Sequence, residues 1–223
     1  MTIKRTAAAL CAVAAMLAAG GARANERDAR RGEAGQFDYY ALALSWSPEY
    51  CANRDEGQQC APGRRLGFVL HGLWPQYENG YPQNCSTERV PEDVRRRYAP
   101  IYPSPRLAVH EWKKHGTCSG LGAAAYFALS GKLKDGVRIP DAYRQPAAPV
   151  RASNDELVRA FMQANPALPA GSVLPFCGDG GRFLREVRIC HAKDGAGRAC
   201  GPADAKRSAK SCGQPSFLMK NVR

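Results

Sequence analysis

Beyond its first 24 residues this chain has no apolar run long enough to cross a membrane. It has no internal repeat, no strong linker and no regular alternation of strand and helix patterns. Those absences argue against a membrane anchor, a repeat array and a second domain, and they point to an α+β class. Acidic side chains are also scarce. Only 20 Asp and Glu stand against 32 Lys and Arg, a formal charge of +12. Such a balance suits nucleic acid, anionic surfaces or acidic glycans, and basicity alone does not choose among them.

The start of the chain reads as an export signal. Lys4 and Arg5 give a positive beginning, Ala7 to Ala19 is apolar, and Ala22-Arg23-Ala24 is a small-x-small cleavage site before Asn25. Residues 1–24 are therefore assigned to a signal peptide and 25–223 to one folded domain. The expected location is the periplasm or the extracellular medium. Cleavage removes Cys11 and leaves eight of the nine cysteines. An even set in an exported chain reads as four disulfides, but eight cysteines allow too many pairings for spacing to choose among them. Lys4, Arg5 and Arg23 leave with the signal, so the mature chain stays basic.

The densest stretch is Leu107-Ala-Val-His-Glu-Trp-Lys-Lys-His-Gly-Thr-Cys118, which holds two of the four histidines. Ser104 suits an N-cap and Pro105 the first helical position. Gly116 is expected to end the helix in a left-handed conformation. At about 100° per residue, His110, Glu111, Lys114 and His115 share one face, leaving Leu107, Val109 and Trp112 to pack elsewhere. Two imidazoles, an ammonium and a carboxylate on one face are costly unless they hold something, and a phosphate fits them. A solvated charged face is the plainer alternative. A metal site is a third, but His-Glu-x-x-x-His is one residue longer than the zinc-protease spacing and turns the second histidine away from the first. No metal and no cofactor are expected.

Elsewhere, Asn25 to Gln36 reads as a loose arm. Tyr40, Leu42, Leu44 and Trp46 alternate with Tyr39, Ala41, Ala43 and Ser45, a strand pattern. Leu66 to Leu70 suits a buried strand with His71 at its end. Such a histidine is ordinarily a packed residue, but a strand end is also a rigid mount for a catalytic group. Helices are expected over Val90–Tyr98, Gly122–Leu133 and from a Ser153 or Asn154 cap to about Ala164. Gly136 to Val150 reads as irregular. Arg182–Cys190 and Phe217–Met219 read as strands, the former with Phe183, Arg185, Val187 and Ile189 on one side. His191 carries no sign of a site.

Phe68-Val-Leu-His-Gly-Leu-Trp-Pro75 and His110-Glu-Trp-Lys-Lys-His-Gly-Thr-Cys118 together resemble the two active-site segments of the ribonuclease T2 family. The likeness extends to Phe37–Cys51, to Asn79-Gly-Tyr-Pro82 with Cys85, and to Glu186-Val-Arg-Ile-Cys190. The resemblance implies a metal-independent endoribonuclease. It would cleave single-stranded RNA by transphosphorylation to 2′,3′-cyclic phosphate ends, a lyase-like step, with slower hydrolysis following. It assigns His115 as base, His71 as acid, His110 to the phosphate, Lys114 to the developing charge and Glu111 to orientation. Trp74 and Tyr81 become candidates for stacking a base. It also implies the pairs Cys51–Cys60, Cys85–Cys118, Cys177–Cys212 and Cys190–Cys200. Ser45 stands where many members carry Gln, and Gln76 where some carry Asp.

The expected molecule is thus a single α+β domain with a mainly antiparallel central sheet, flanking helices and disulfide staples. Single-stranded RNA is its expected partner, without a membrane anchor and acting as a monomer. The alternatives are a non-catalytic RNA-binding relative, a ribonuclease toxin, or a basic glycan- or surface-binding module.

Overall fold

The computed structural model describes residues 32–222 apart from 53, 55 and 56. The leader assigned to residues 1–24 lies outside the described residues. Among the described residues six strands form one sheet: β1 (Tyr39–Trp46), β2 (Phe68–Gln76), β3 (Val150–Ala152), β4 (Val173–Gly178), β5 (Phe183–His191) and β6 (Phe217–Met219). Seven α-helices surround it among the described residues: α1 (Ser47–Tyr50), α2 (Glu92–Tyr98), α3 (Pro105–Lys114), α4 (Ala123–Gly136), α5 (Asp141–Arg144), α6 (Asn154–Ala164) and α7 (Pro202–Ser211). The strand order is β2-β1-β5-β6-β3, with β4 also paired to β5. All pairings are antiparallel except the short β5–β6 contact. This is the expected α+β domain.

The alternation in β1 becomes the two faces of the sheet. Tyr40, Leu42, Leu44 and Trp46 enter the main core with Leu70, Leu73, Leu184, Val187 and Ile189. α3, α4 and α6 cover that face with Trp112, Tyr126, Phe127, Leu157 and Phe161, all at most 1% exposed. The other face begins with Tyr39 and Ala41 over Cys190 and remains open further along for the site.

Two β-bulges decide which side chains reach the open face. Ala43 pairs with Gly72 and Leu44 with Leu70, so His71 is an extra residue in β2. A regular strand alternates strictly, whereas a bulge puts neighbouring side chains on one side. Leu70 and Leu73 consequently both enter the core, and His71 and Trp74 both face the site. His71 therefore lies within β2, which runs on to Gln76, rather than at the end of a strand. In β5 the register jumps between Phe176–Glu186 and Cys177–Leu184, which leaves Arg185 as the extra residue. Leu184 and Val187 stay in the core. Arg185 turns to the side of Glu186 and Arg188, so it does not share a face with Val187 and Ile189 as alternation alone would have it.

Other local expectations divide. Ser104 caps α3 through the Leu107 N–H, and Pro105 opens it. Ser153 and Glu156 form a reciprocal capping box at α6. Gly116 is not left-handed: the chain continues into a 3-10 turn, Gly116–Cys118. Glycine is needed there because a Cβ would sit 2.5 Å from the Trp112 ring. Val109 is 42% exposed rather than packed. The Gly136–Val150 stretch contains the short α5 and reaches β3. The described part of the N-terminal arm is held, since Gly35 N–H donates to the Cys118 carbonyl at 2.9 Å. β4 and α7 had no counterpart in the sequence reading. Four disulfides form as the resemblance implied: Cys51–Cys60, Cys85–Cys118, Cys177–Cys212 and Cys190–Cys200.

Candidate active site

The site lies between the open face of β2 and β5 and the polar side of α3. A cavity of about 400 Å³ is lined by His71, Trp74, Gln76, Tyr81, His110, Glu111, Lys114 and His115. Phe176, Arg185, Arg188, Arg207 and Ser211 form its remaining wall. All five residues singled out as catalytic, and both proposed stacking residues, therefore share one space.

α3 packs against β2, the edge strand of the sheet, and contributes to both sides. Trp112 goes into the core and donates its indole N–H to the Glu88 carbonyl at 2.9 Å. Glu111, the preceding residue, is 1% exposed and accepts from the Trp74 indole N–H at 2.6 Å. Gly72 makes this approach possible, because a Cβ there would collide with the Glu111 carboxylate and the Trp74 indole nitrogen. Burial raises Glu111 to about 7, against the opposing charge of His71 and the Trp74 hydrogen bond. Its Oε1 has no hydrogen-bond partner among the described residues and lies 3.8 Å from His71 Nε2.

Trp74 lies between His71 and His115. His71 meets its ring edge-on at 4.9 Å, and His115 stacks on it at 5.1 Å with an interplanar angle of 28°. The Arg188 guanidinium lies 4.7 Å from the same ring. Trp74 is consequently 8% exposed, with its faces occupied. Its ring separates the two imidazoles and leaves little surface open to the cavity. Tyr81 is 40% exposed, with its ring 6.1 Å from His115, and does have a free surface. Gln76 lines the cavity although buried, and its Oε1 is unpartnered among the described residues.

The two histidines are driven apart electrostatically. His71 Nδ1 hydrogen-bonds Glu186 Oε2 at 2.8 Å, so Nδ1 carries the proton and Nε2 faces Glu111. Burial pulls His71 down, but the hydrogen bond and charge of Glu186, with the charge of Glu111, outweigh it and hold the imidazole above its usual value. His115 lies well below its usual value, first through burial and then through the charges of Lys114 and His71. The two imidazoles are thus displaced in opposite directions, His71 toward holding a proton and His115 toward the neutral form. Burial and Lys114 also lower His110.

Glu186 is itself supported. Arg188 Nε donates to its Oε1 at 2.8 Å, and Arg188 Nη1 to Asp204 Oδ1 at 3.3 Å. The Tyr39 hydroxyl donates to Asp204 Oδ2 at 2.7 Å, and Arg207 also pairs with Asp204. Burial would raise Glu186, but His71 and Arg188 together bring it down to about 2. A permanently ionised carboxylate thus stands behind His71.

The model of the ribonuclease T2 family matches residues 37–198. The chain belongs to the ribonuclease T2 family. A ribonuclease of Aeromonas hydrophila is 43% identical over 202 residues, covering 86% of this chain and 90% of that protein. The fold agrees with the crystal structure of a single-residue mutant of RNase MC1 in complex with 5′-UMP, at TM-score 0.64 and 22% identity, covering 81% of this chain and 97% of that one. An RNase-related protein from Calystegia sepium superposes at TM-score 0.67 and 19% identity, covering 86% and 100%. The protein is a T2-type endoribonuclease, acting on RNA.

Within this T2 domain, sequence reasoning missed Asp204 and Arg207, and saw Arg185, Glu186 and Arg188 only as parts of a strand. A signal did exist, since Glu186 and Arg188 are charged residues two apart, and both are largely buried in β5. Only antiparallel pairing across β1 shows that they face His71. Asp204 and Arg207 sit on α7, and nothing local connects them to the site.

Proposed function

We propose that this T2 enzyme cleaves single-stranded RNA by transphosphorylation without a metal. Neutral His115 takes the proton of the 2′-OH. The 2′-oxygen forms a bond to the adjacent phosphorus as the bond from phosphorus to the 5′-oxygen breaks. Charged His71 gives its Nε2 proton to that leaving oxygen. A 2′,3′-cyclic phosphate and a free 5′-hydroxyl result, and slower hydrolysis runs with the two histidines exchanged. Lys114 and His110 hold the phosphate oxygens, and Lys114 balances the charge that grows on them. Glu111, poised near neutrality, keeps Trp74 oriented between the imidazoles and shares a proton with the phosphorane. The nucleophile belongs to the ribose, so DNA is not a substrate. Tyr81 offers the free ring for a base.

The observation that carries this reading is the opposite displacement of His71 and His115 around one indole. A base and an acid must occupy complementary protonation states at the same pH, and each contributes roughly 10²- to 10⁴-fold. Incubation of residues 25–223 with RNA in EDTA should yield cyclic-phosphate ends by mass spectrometry. His115→Phe should lower kcat by about 10³-fold. Cleavage abolished by EDTA, or undiminished in His115→Phe, overturns the mechanism. The same preparation tests the remaining proposals. Export with cleavage before Asn25 appears in N-terminal sequencing of the protein recovered from periplasm or medium. Monomeric action appears as one-chain mass in sedimentation.

A further inference from the structure

The cavity wall carries more positive charge than one phosphodiester uses. Lys114, Arg185, Arg188 and Arg207 line it, and Glu111 is the only carboxyl group among its lining residues. Arg188 is committed: it holds Glu186 and Asp204 while clamped between the Trp74 and Phe176 rings, 3.9 Å from the latter. Asp204 is shared between Arg188 and Arg207. Two buried carboxylates are thus balanced by two guanidinium groups, and Arg207 remains 44% exposed at the cavity. Arg185 is the surplus. It is exposed, and no carboxylate lies within ion-pair distance among the described residues.

The backbone shows that Arg185 does not line this cavity by default. In a regular strand it would point into the core between Leu184 and Glu186. The bulge opposite Phe176 and Cys177 turns it to the site face instead. Bulges next to active sites re-aim a side chain at the cost of local pairing. Arg207 reaches the same wall from α7, one turn before Ser211, and its Asp204 partner fixes its direction.

We infer that Arg185 and Arg207 form a second phosphate subsite, which takes the phosphodiester next to the scissile one on the RNA strand. The guanidinium fork suits a phosphate, and two such groups from different elements fix its position. The subsite rests on the ribonuclease reading and extends it: the enzyme prefers a strand with a flanking phosphate to a bare dinucleoside monophosphate. The flanking phosphate can lie on the 5′ or the 3′ side of the cleaved bond.

The test compares kcat/KM for a dinucleoside monophosphate, the same compound with a 5′-phosphate, and the same with a 3′-phosphate. One phosphorylated compound should be cleaved about tenfold faster per enzyme, and it identifies the side. In Arg185→Ala that ratio should fall toward one, with Arg185→Lys keeping part of it. In Arg207→Ala it should fall as well. An undiminished ratio in Arg185→Ala, or an equal loss on all three substrates, overturns the subsite. Binding of a 2′-O-methyl oligonucleotide, which cannot be cleaved by 2′-oxygen attack, gives an independent readout. There Arg185→Ala should weaken binding and lower the salt slope by about 0.7. Weaker binding in the variant with no cleavage by the unaltered enzyme would sink the ribonuclease mechanism and spare the subsite. Intact binding in the variant with normal cleavage would do the reverse.

Discussion

Glu186 illustrates how one side chain sets chemistry and stability together. Its folded pKa of about 2 lies below the ordinary 4.5. A depressed carboxylate contributes stability that is fully present above the unfolded value and is lost as pH falls through the folded one. That gap corresponds to on the order of 3 kcal/mol at neutral pH. His71 is raised, so its share is present below the usual 6.5 and is lost as pH rises through the higher folded value. Glu186→Gln should therefore flatten the acid side of the stability curve between about pH 4.5 and 2, measured by urea denaturation. It should also move the alkaline limb of kcat/KM to lower pH, because burial then lowers His71 with only the charge of Glu111 opposing it. An alkaline limb that stays in place would mean that Glu186 does not set the His71 proton.

At the scale of elements, the site depends on close approach between α3 and β2. Gly72 leaves room for Glu111 to reach Trp74. Gly72→Ala should keep the fold, seen as an unchanged far-ultraviolet spectrum, yet lower kcat by about 10²-fold by displacing the carboxylate and the indole. The Cys85–Cys118 bond ties the loop after β2 to the turn after α3, across a sequence separation of 33 residues. Replacing both cysteines by serine should cost about 4 kcal/mol by the loop-entropy relation, read as a fall in Tm relative to the intact protein. The helix itself was legible in advance, because capping by Ser104 and Pro105 is local chemistry. The end at Gly116 was misread, since what requires glycine there is the Trp112 ring packed against it rather than a left-handed backbone.

Across the whole molecule, a chain with 32 basic and 20 acidic residues needs no special patch to attract RNA. Four of those cations, Lys114, Arg185, Arg188 and Arg207, line the cavity beside a single carboxyl group, Glu111. Three cationic side chains facing phosphates, Lys114, Arg185 and Arg207, should give single-stranded RNA affinity a log–log salt slope of about −2. A slope near zero in a titration with uncleavable RNA would contradict phosphate contacts at the cavity.

The sequence by itself determined what depends on near neighbours. The alternation of β1, the caps of α3 and α6 and the shared face of His110, Glu111, Lys114 and His115 all follow from residue spacing and side-chain chemistry. The resemblance of two short segments added the four disulfide pairs and the roles proposed for the histidines. Tertiary structure decided what depends on registers and distant partners. Two bulges, each visible only as a slip between paired strands, put Trp74 with His71 and Arg185 with Glu186. Burial and an ionised Glu186 more than a hundred positions away separate two histidines that are chemically alike in the sequence. An electrostatic environment is a sum over everything nearby in space, so it came into being only when β2, β5, α3 and α7 were brought together.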